Sequence, residues 1–181
     1  MSRYRRSQTP GATYFFTVVT YRRQAILCDA PIREALRKAI AAVRAKRPFT
    51  IDAWVLLSDH LHAIWTLPPG DADFATRWAV TKRQVSVKCA KDYRRGDWIG
   101  PSKQKHREST LWQRGYWEHQ IRDEYDFERH MDYIHFNPVK HGHCRQVTDW
   151  PYSTFHRYAE QGVYPLDWGG GNVDDNLVAG E

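Results

Sequence analysis

Hydrophobic patterning along the chain points to an α+β domain of the split-βαβ, ferredoxin-like (RRM-like) kind: a central antiparallel sheet, helices on one face, and an irregular C-terminal tail. Three observations carry that expectation. Short runs rich in β-branched and aromatic residues alternate with helical periodicity in the order strand, helix, strand, strand, helix, strand, helix. Only the turn-forming pair Ser58-Asp59 separates the second strand from the third, which makes a hairpin. A composition of 41% hydrophobic and 27% charged residues over 181 positions suffices for one buried core and argues against disorder.

Residues 12–21, ATYFFTVVTY, read as the first strand. In residues 29–48, Ile32, Leu36, Ala39, Ile40 and Val43 recur at helical spacing, with Pro31 near the start and Pro48 past the end. Residues 49–57, FTIDAWVLL, form the second strand, and HLHAIWTLP alternates as the third, closed by Pro68-Pro69-Gly70-Asp71. Residues 72–92 predict a basic amphipathic helix built on Phe74, Trp78, Val85 and Cys89. The polar, Gly- and Pro-punctuated stretch RRGDWIGPSKQKHREST then reads as a flexible loop. LWQRGYWEHQIR reads as a fourth strand, and EYDFERHMDYIHF as a last helix with Phe127, Met131 and Ile134 as its apolar stripe. The expected partition is one domain over residues 1–143, including a basic N-terminal arm, with residues 144–181 packed on it or extending from it.

Several classes of function drop out. No apolar run reaches the roughly 18–20 residues of a membrane-spanning helix. The N-terminus is basic but lacks the apolar stretch and cleavage site of an export signal, so a cytosolic protein is expected. Cys28, Cys89 and Cys144 are scattered without CxxC spacing and read as buried or idle thiols. The net charge of +6 is unevenly spread: ten Lys or Arg between Arg77 and Arg107 face only Asp92 and Asp97, and Arg3, Arg5 and Arg6 open the chain. Tyr4, Trp78, Tyr93, Trp98, Trp112, Tyr116 and Trp117 lie among or beside these charges. Cations for phosphates mixed with flat rings for unpaired bases suit a single-stranded nucleic-acid surface. A solvated basic face with its aromatics turned inward fits the composition equally well.

Two local motifs carry chemistry. In His60-Leu61-His62 the histidines sit at i and i+2 of a strand, on one face and roughly 6–7 Å apart. Two imidazoles can then converge on one cation while Leu61 faces the core, although an isolated HxH also fits two ordinary strand histidines. In the last helix Tyr133 and Asn137 are one turn apart, and His130 shares their face. A phenol nucleophile and a neutral amide oxygen could thus serve the same metal. The ordinary alternative is an amphipathic tyrosine with its hydroxyl at the surface, and Pro138 biases Asn137 away from helical angles.

Together, AWVLLSDHLHAIWTLP and DYIHFNPVKHG resemble the single-tyrosine HUH transposases, and among them the REP-associated tyrosine transposases, the group associated with repetitive extragenic palindromes. The resemblance covers nearly the whole chain and includes RRSQTPGATYFFTV, GYWEHQIR, DWPYSTFHRY and YPLDWGG. A long basic segment near residues 90–110, which members often shorten, is the departure. The resemblance implies a divalent cation held by His60 and His62, with Asn137 completing the site. It implies Tyr133 as the nucleophile on single-stranded DNA, a 5′-phosphotyrosine link with a free 3′-hydroxyl, and rejoining without ATP. Mixed imidazole and amide ligation with open positions suits Mg²⁺ or Mn²⁺. The implied partner is hairpin DNA of the palindromes, bound by a monomer or homodimer. Arg3, Arg5 and Arg6 are the implied hairpin contacts, and Lys82, Arg83, Arg94 and Arg95 are further candidates for DNA binding.

Two other readings stay open on sequence grounds. A ferredoxin-like sheet bearing aromatics is also how non-catalytic RNA-recognition modules work, and these need neither the histidine pair nor Tyr133. A metal phosphodiesterase using an activated water needs His60 and His62 but not the phenol. His119, beside Trp117 and Glu118, reads as structural. His130, His135 and His141 are open to proton transfer or phosphate contact, and Lys140 to phosphate contact, without an assigned role.

Overall fold

Strand-forming residues take up the strands their patterning predicts: β1 (Thr13–Val19), β2 (Thr50–Leu56), β3 (His60–Thr66) and the short β4 (Trp117–Gln120). In the computed structural model, which describes residues 8–169, they form one sheet in the order β2-β3-β1-β4. Every neighbouring pair is antiparallel. The helices are α1 (Ala30–Lys46), α2 (Phe74–Lys88), α3 (Ala90–Tyr93), α4 (Pro101–Lys105), α5 (Glu124–Lys140) and α6 (Phe155–Glu160). Among the described residues no helix is long and apolar enough to cross a membrane.

One feature of the expected architecture is corrected. α1 and α2 cover one face of the sheet, where Ile32, Leu36, Ala39, Phe74 and Trp78 pack on Tyr14, Phe16, Leu61 and Trp65. α5 lies on the other face, its Met131 and Ile134 against Phe15, Ala53, Val55 and Ile64. The physical reason lies in the strands. Tyr14-Phe15-Phe16 and Ala63-Ile64-Trp65 are buried at consecutive positions, so both faces are apolar and both need a cover.

Three segments also depart from expectation in detail. The stretch read as a flexible loop folds into a 3-10 turn at Gly96–Trp98 and the helix α4. Lys103 anchors it, with Nζ donating to Ser109 O at 3.1 Å and lying 3.8 Å from the centre of the Tyr21 ring. β4 is shorter than its apolar run because Gln113, Arg114 and Gly115 turn to solvent, and Trp112 joins the sheet only through an isolated bridge to Thr20. α5 runs on through Pro138 to Lys140, with His141 N–H donating to Asn137 O at 3.0 Å. Proline removes one N–H, and the burial of Ile134, Asn137 and Pro138 keeps the last turn helical.

α5 starts on a reciprocal cap: Asp123 accepts from Asp126 N–H at 2.8 Å, and Asp126 accepts from Arg122 N–H at 3.0 Å. The segment after α5 covers the open edge of β2. Trp54 N–H donates to Thr154 Oγ1 at 2.9 Å, Leu56 N–H to Tyr152 O at 2.9 Å, and Trp150 Nε1–H to Leu56 O at 3.0 Å. An edge so covered cannot template pairing with another chain.

Candidate active site

The register of β1 against β3 sets the site. Val19 lies opposite His60 and Thr17 opposite His62, so both imidazoles leave the sheet on the α5 face while Leu61 and Ala63 enter the core beneath α1 and α2. The two rings are 4.9 Å apart between centroids and nearly perpendicular, at 82°. His60 is 2% exposed and His62 fully buried. His60 Nδ1–H donates to Asp59 Oδ1 at 2.7 Å, and His62 Nδ1 lies 2.9 Å from Thr17 Oγ1. Among the described residues, these bonds leave Nε2 of both rings buried without a hydrogen-bond partner.

Electrostatics keeps the pair neutral. Burial pushes the His62 imidazole well below its ordinary range, helped by the neighbouring His60, His141 and Lys140. Burial also lowers His60, against the pull of Asp59 in the other direction. Burial alone would raise the Asp59 carboxyl, but its bonds to His60 and Arg23 hold it below the usual range. A neutral imidazole with Nδ1–H fixed presents an Nε2 lone pair, the form in which histidine ligates metals.

α5 brings the remaining residues. The Tyr133 ring lies 5.2 Å from the His62 ring and 5.9 Å from Phe15, edge-on to both. One turn later, Asn137 is fully buried, and neither Oδ1 nor Nδ2 has a hydrogen-bond partner among the described residues. Lys140 places Nζ 4.9 Å from the centre of the Tyr133 ring, and His141 lies 5.1 Å from His60. The rings of His60, His62 and Tyr133 therefore adjoin in series, and Asn137 stays on the helix one turn after Tyr133 despite Pro138. Sequence reasoning missed Asp59, Thr17 and Phe15. Asp59 carried a signal, since it directly precedes His60, whereas Thr17 and Phe15 become neighbours only through strand register.

A second group of ligand types flanks Phe15. His119 Nε2 pairs with Asp126 Oδ2 at 2.8 Å, and His130 Nδ1–H donates to Asp126 O at 2.7 Å. The two rings stack at 4.7 Å. Their ligand atoms and the Asp126 carboxylate lie within 4.8 Å of one another, a span that can take a cation. Asp126 also caps α5, so this cluster ties β4 to the helix whether or not an ion joins it. His135 is structural: it is buried, bonds Thr154 Oγ1 through Nε2 at 3.0 Å, and packs on Phe155 and Tyr158.

The candidate DNA contacts lie elsewhere. Arg83 and Arg94 line a cleft of about 860 Å³ between α2 and the chain leading to β4, with Lys103, Arg107, Trp112 and Tyr116 on its other walls. This cleft is on the α1/α2 side of the sheet, away from the histidines. Lys82 also faces it, but its ammonium donates to Gln113 O at 2.6 Å and Gly115 O at 2.9 Å, which ties α2 to that chain. Arg95 is exposed, and its backbone N–H donates to Thr110 Oγ1 at 2.8 Å. Arg3, Arg5 and Arg6 lie outside the described residues. The sheet edge joins the two sides: Trp117 on β4 is 41% exposed and packs on Phe15 at 5.7 Å.

Residues 9–137 match the family model described as "Transposase IS200 like", a span that holds His60, His62, Tyr133 and Asn137. The chain is 44% identical over 181 residues to the REP-associated tyrosine transposase of Escherichia coli, covering 100% of this chain and 98% of that one. A Haemophilus influenzae relative named for the same group is 44% identical over 170 residues, 94% of each chain. A solved structure, of a REP-associated tyrosine transposase bound to a REP hairpin, superposes with a TM-score of 0.80 at 44% identity. The match covers 98% of this chain and 96% of the other.

Proposed function

The chain belongs to the IS200-like transposase family, in its REP-associated tyrosine group, and on that footing we propose that it nicks and rejoins DNA. In this reading Tyr133 is the nucleophile, and His60, His62 and Asn137 hold a divalent cation, Mg²⁺ or Mn²⁺. The substrate is single-stranded DNA beside a palindromic hairpin, the ligand in the solved relative. One observation carries the reading: among the described residues His60 Nε2, His62 Nε2 and Asn137 Oδ1 are buried acceptors without hydrogen-bond partners, with the Tyr133 ring against His62 and Asn137 one turn after it on α5. Each buried polar atom left unpaired costs about 1–3 kcal/mol, and a cation ligated by all three reverses that cost. The donor set fits the group, since two neutral imidazoles and an amide oxygen leave positions open for phosphate and water.

The chemistry follows from the residues. Tyr133 Oη forms a bond to phosphorus in line with the P–O3′ bond, which breaks. The phenol gives up its proton, and the departing 3′-oxygen takes one up, leaving a 5′-phosphotyrosine and a 3′-hydroxyl. Attack by another 3′-hydroxyl reverses the step, so joining needs no ATP. When bound, the cation offsets charge on the non-bridging oxygens and orients the phosphate. Asp59 fixes the His60 tautomer with Nδ1–H, and Thr17 Oγ1 holds the His62 ring in place. Phe15 and His62 restrict the Tyr133 ring from its edges. With Mn²⁺ and a hairpin-flanked oligonucleotide, a denaturing gel will show a covalent protein–DNA band for the wild type and none for Tyr133→Phe. Nicked product without an adduct would instead indicate an activated water and remove Tyr133 from this role.

The DNA path follows from the same placement. Arg83, Arg94 and Arg107 in the cleft take phosphates while Trp112 and Tyr116 offer stacking faces, and the strand passes over Trp117 at the β4 edge to reach Tyr133. Arg3, Arg5 and Arg6 contribute at the hairpin, and Arg95 adds a peripheral charge. Lys82 acts indirectly, by holding the cleft wall. Replacing Arg83 and Arg94 with Gln reduces the salt dependence of binding by about two ions; an unchanged slope overturns this path.

A further inference from the structure

The site contains a charged group that the reaction as described does not use. Lys140 is the last residue of α5, seven positions after Tyr133 and thus two turns along the same face. Its Nζ is buried and has no hydrogen-bond partner among the described residues. It stands over the Tyr133 ring, 4.9 Å from the centroid, and close enough to His62 to depress that imidazole. An ammonium taken out of water is strongly unfavourable unless an anion or several acceptors meet it. The Tyr133 ring and the His62 imidazole lie beside it. Asp59, the carboxylate of the site, is already bonded to His60 and Arg23. Among the described residues, no carboxylate pairs with this ammonium.

We infer that Lys140 is a catalytic residue, whose ammonium takes a non-bridging oxygen of the scissile phosphate and holds phosphorus in front of Tyr133. The inference rests on the reading of Tyr133 as nucleophile and deepens it. No bond at Lys140 forms or breaks. The non-bridging oxygens are neither attacked nor expelled, so the same contact serves nicking and rejoining. A charge-assisted bond of this kind is short and strong in a site closed to water. The ring beneath it holds the ammonium in place by cation–π attraction until the phosphate arrives.

Lys140→Met keeps the length and apolar stem of the side chain and removes its charge. In the Tyr133→Phe background, where no covalent step intervenes, affinity is measured for two hairpin oligonucleotides. One carries the natural scissile phosphate; the other carries a methylphosphonate there, with one charged oxygen replaced by a neutral methyl, as separated diastereomers. Lys140→Met is expected to weaken binding of the natural phosphate roughly 10- to 100-fold. It will leave one methylphosphonate diastereomer nearly unaffected, because the contact is already gone. The melting temperature of the free Lys140→Met protein is expected to hold or rise, since an unpaired buried charge has been removed. Equal losses on all oligonucleotides, or a lowered melting temperature, would mean that Lys140 is structural and overturn the inference. Adduct formation by the protein with native Tyr133 is scored in parallel. An adduct together with a silent Lys140→Met refutes Lys140 alone, whereas no adduct refutes the nucleophile and the Lys140 contact with it.

Discussion

The two faces of the sheet are built from the same strands and solve opposite problems. Under α1 and α2, large rings interlock: Trp65 and Trp78 stack at 4.0 Å and 14°, with Phe16, Phe49 and Phe74 packed around them. Among the described residues, unpaired buried polar atoms there include the indole N–H groups of Trp65, Trp78 and Trp112 and the Thr81 hydroxyl. An indole N–H only donates and cannot hold a cation. Under α5 the unpaired atoms among the described residues are mostly of another kind: ring nitrogens of His60, His62 and His135, both amide atoms of Asn137 and the Lys140 ammonium. One face is closed and carries the stability. The other is chemically unfinished, and its deficit is tolerable because the first face is so well packed.

The largest effect expected from this contrast is on stability. Trp78→Ala removes a side chain that is 1% exposed from the ring stack and should destabilise the protein by about 3–5 kcal/mol, read by urea denaturation. His62→Ala, made in the equally buried opposite face, should cost less in the absence of divalent ions. Its effect appears on adding Mn²⁺. At a free concentration of about 100 times Kd, a ligand that binds only the folded state adds about 2.7 kcal/mol, and His62→Ala loses that increment. Trp78→Ala keeps it as long as the protein is folded. If His62→Ala retains the manganese shift, the cation is held elsewhere, and the His119, Asp126 and His130 group becomes the next candidate.

Much of this was legible in the residues, and the parts that were not have physical reasons. Alternation in HLHAIWT gave β3, and with it the shared face of His60 and His62; helical spacing gave α1 and joined Tyr133 to Asn137. The side of the sheet that α5 covers is a tertiary choice. Its trace in the sequence was the unbroken apolar run through Tyr14, Phe15 and Phe16, which a half-solvated sheet would not have. Pro138 misled because its effect on the preceding residue is a local bias, and burial of Asn137 overrides it. Thr17 was invisible as a partner of His62, since a register links residues 45 positions apart. Lys140 stood two turns beyond Tyr133 in plain sight, but only the folded site shows its ammonium buried without a hydrogen-bond partner among the described residues.

The smallest effect separates two kinds of buried histidine on the α5 side. His135 is pushed by burial down to about 3, from an ordinary value of 6.5. Between those values the unfolded chain binds a proton that the folded chain refuses. Stability is therefore complete above about pH 6.5 and falls as the pH drops through the window, with a slope of about 1.4 kcal/mol per pH unit for one such group. Burial shifts His60 and His62 in the same direction, so they steepen the slope when no divalent ion is present. A bound cation competes with protons for Nε2 of those two rings but not for His135, which faces Thr154. His135→Gln should therefore flatten the profile by one proton both without and with Mn²⁺, whereas the share due to His60 and His62 responds to the ion. A profile that manganese leaves unchanged while His135→Gln still flattens it would keep His135 as a structural histidine and strip His60 and His62 of their cation.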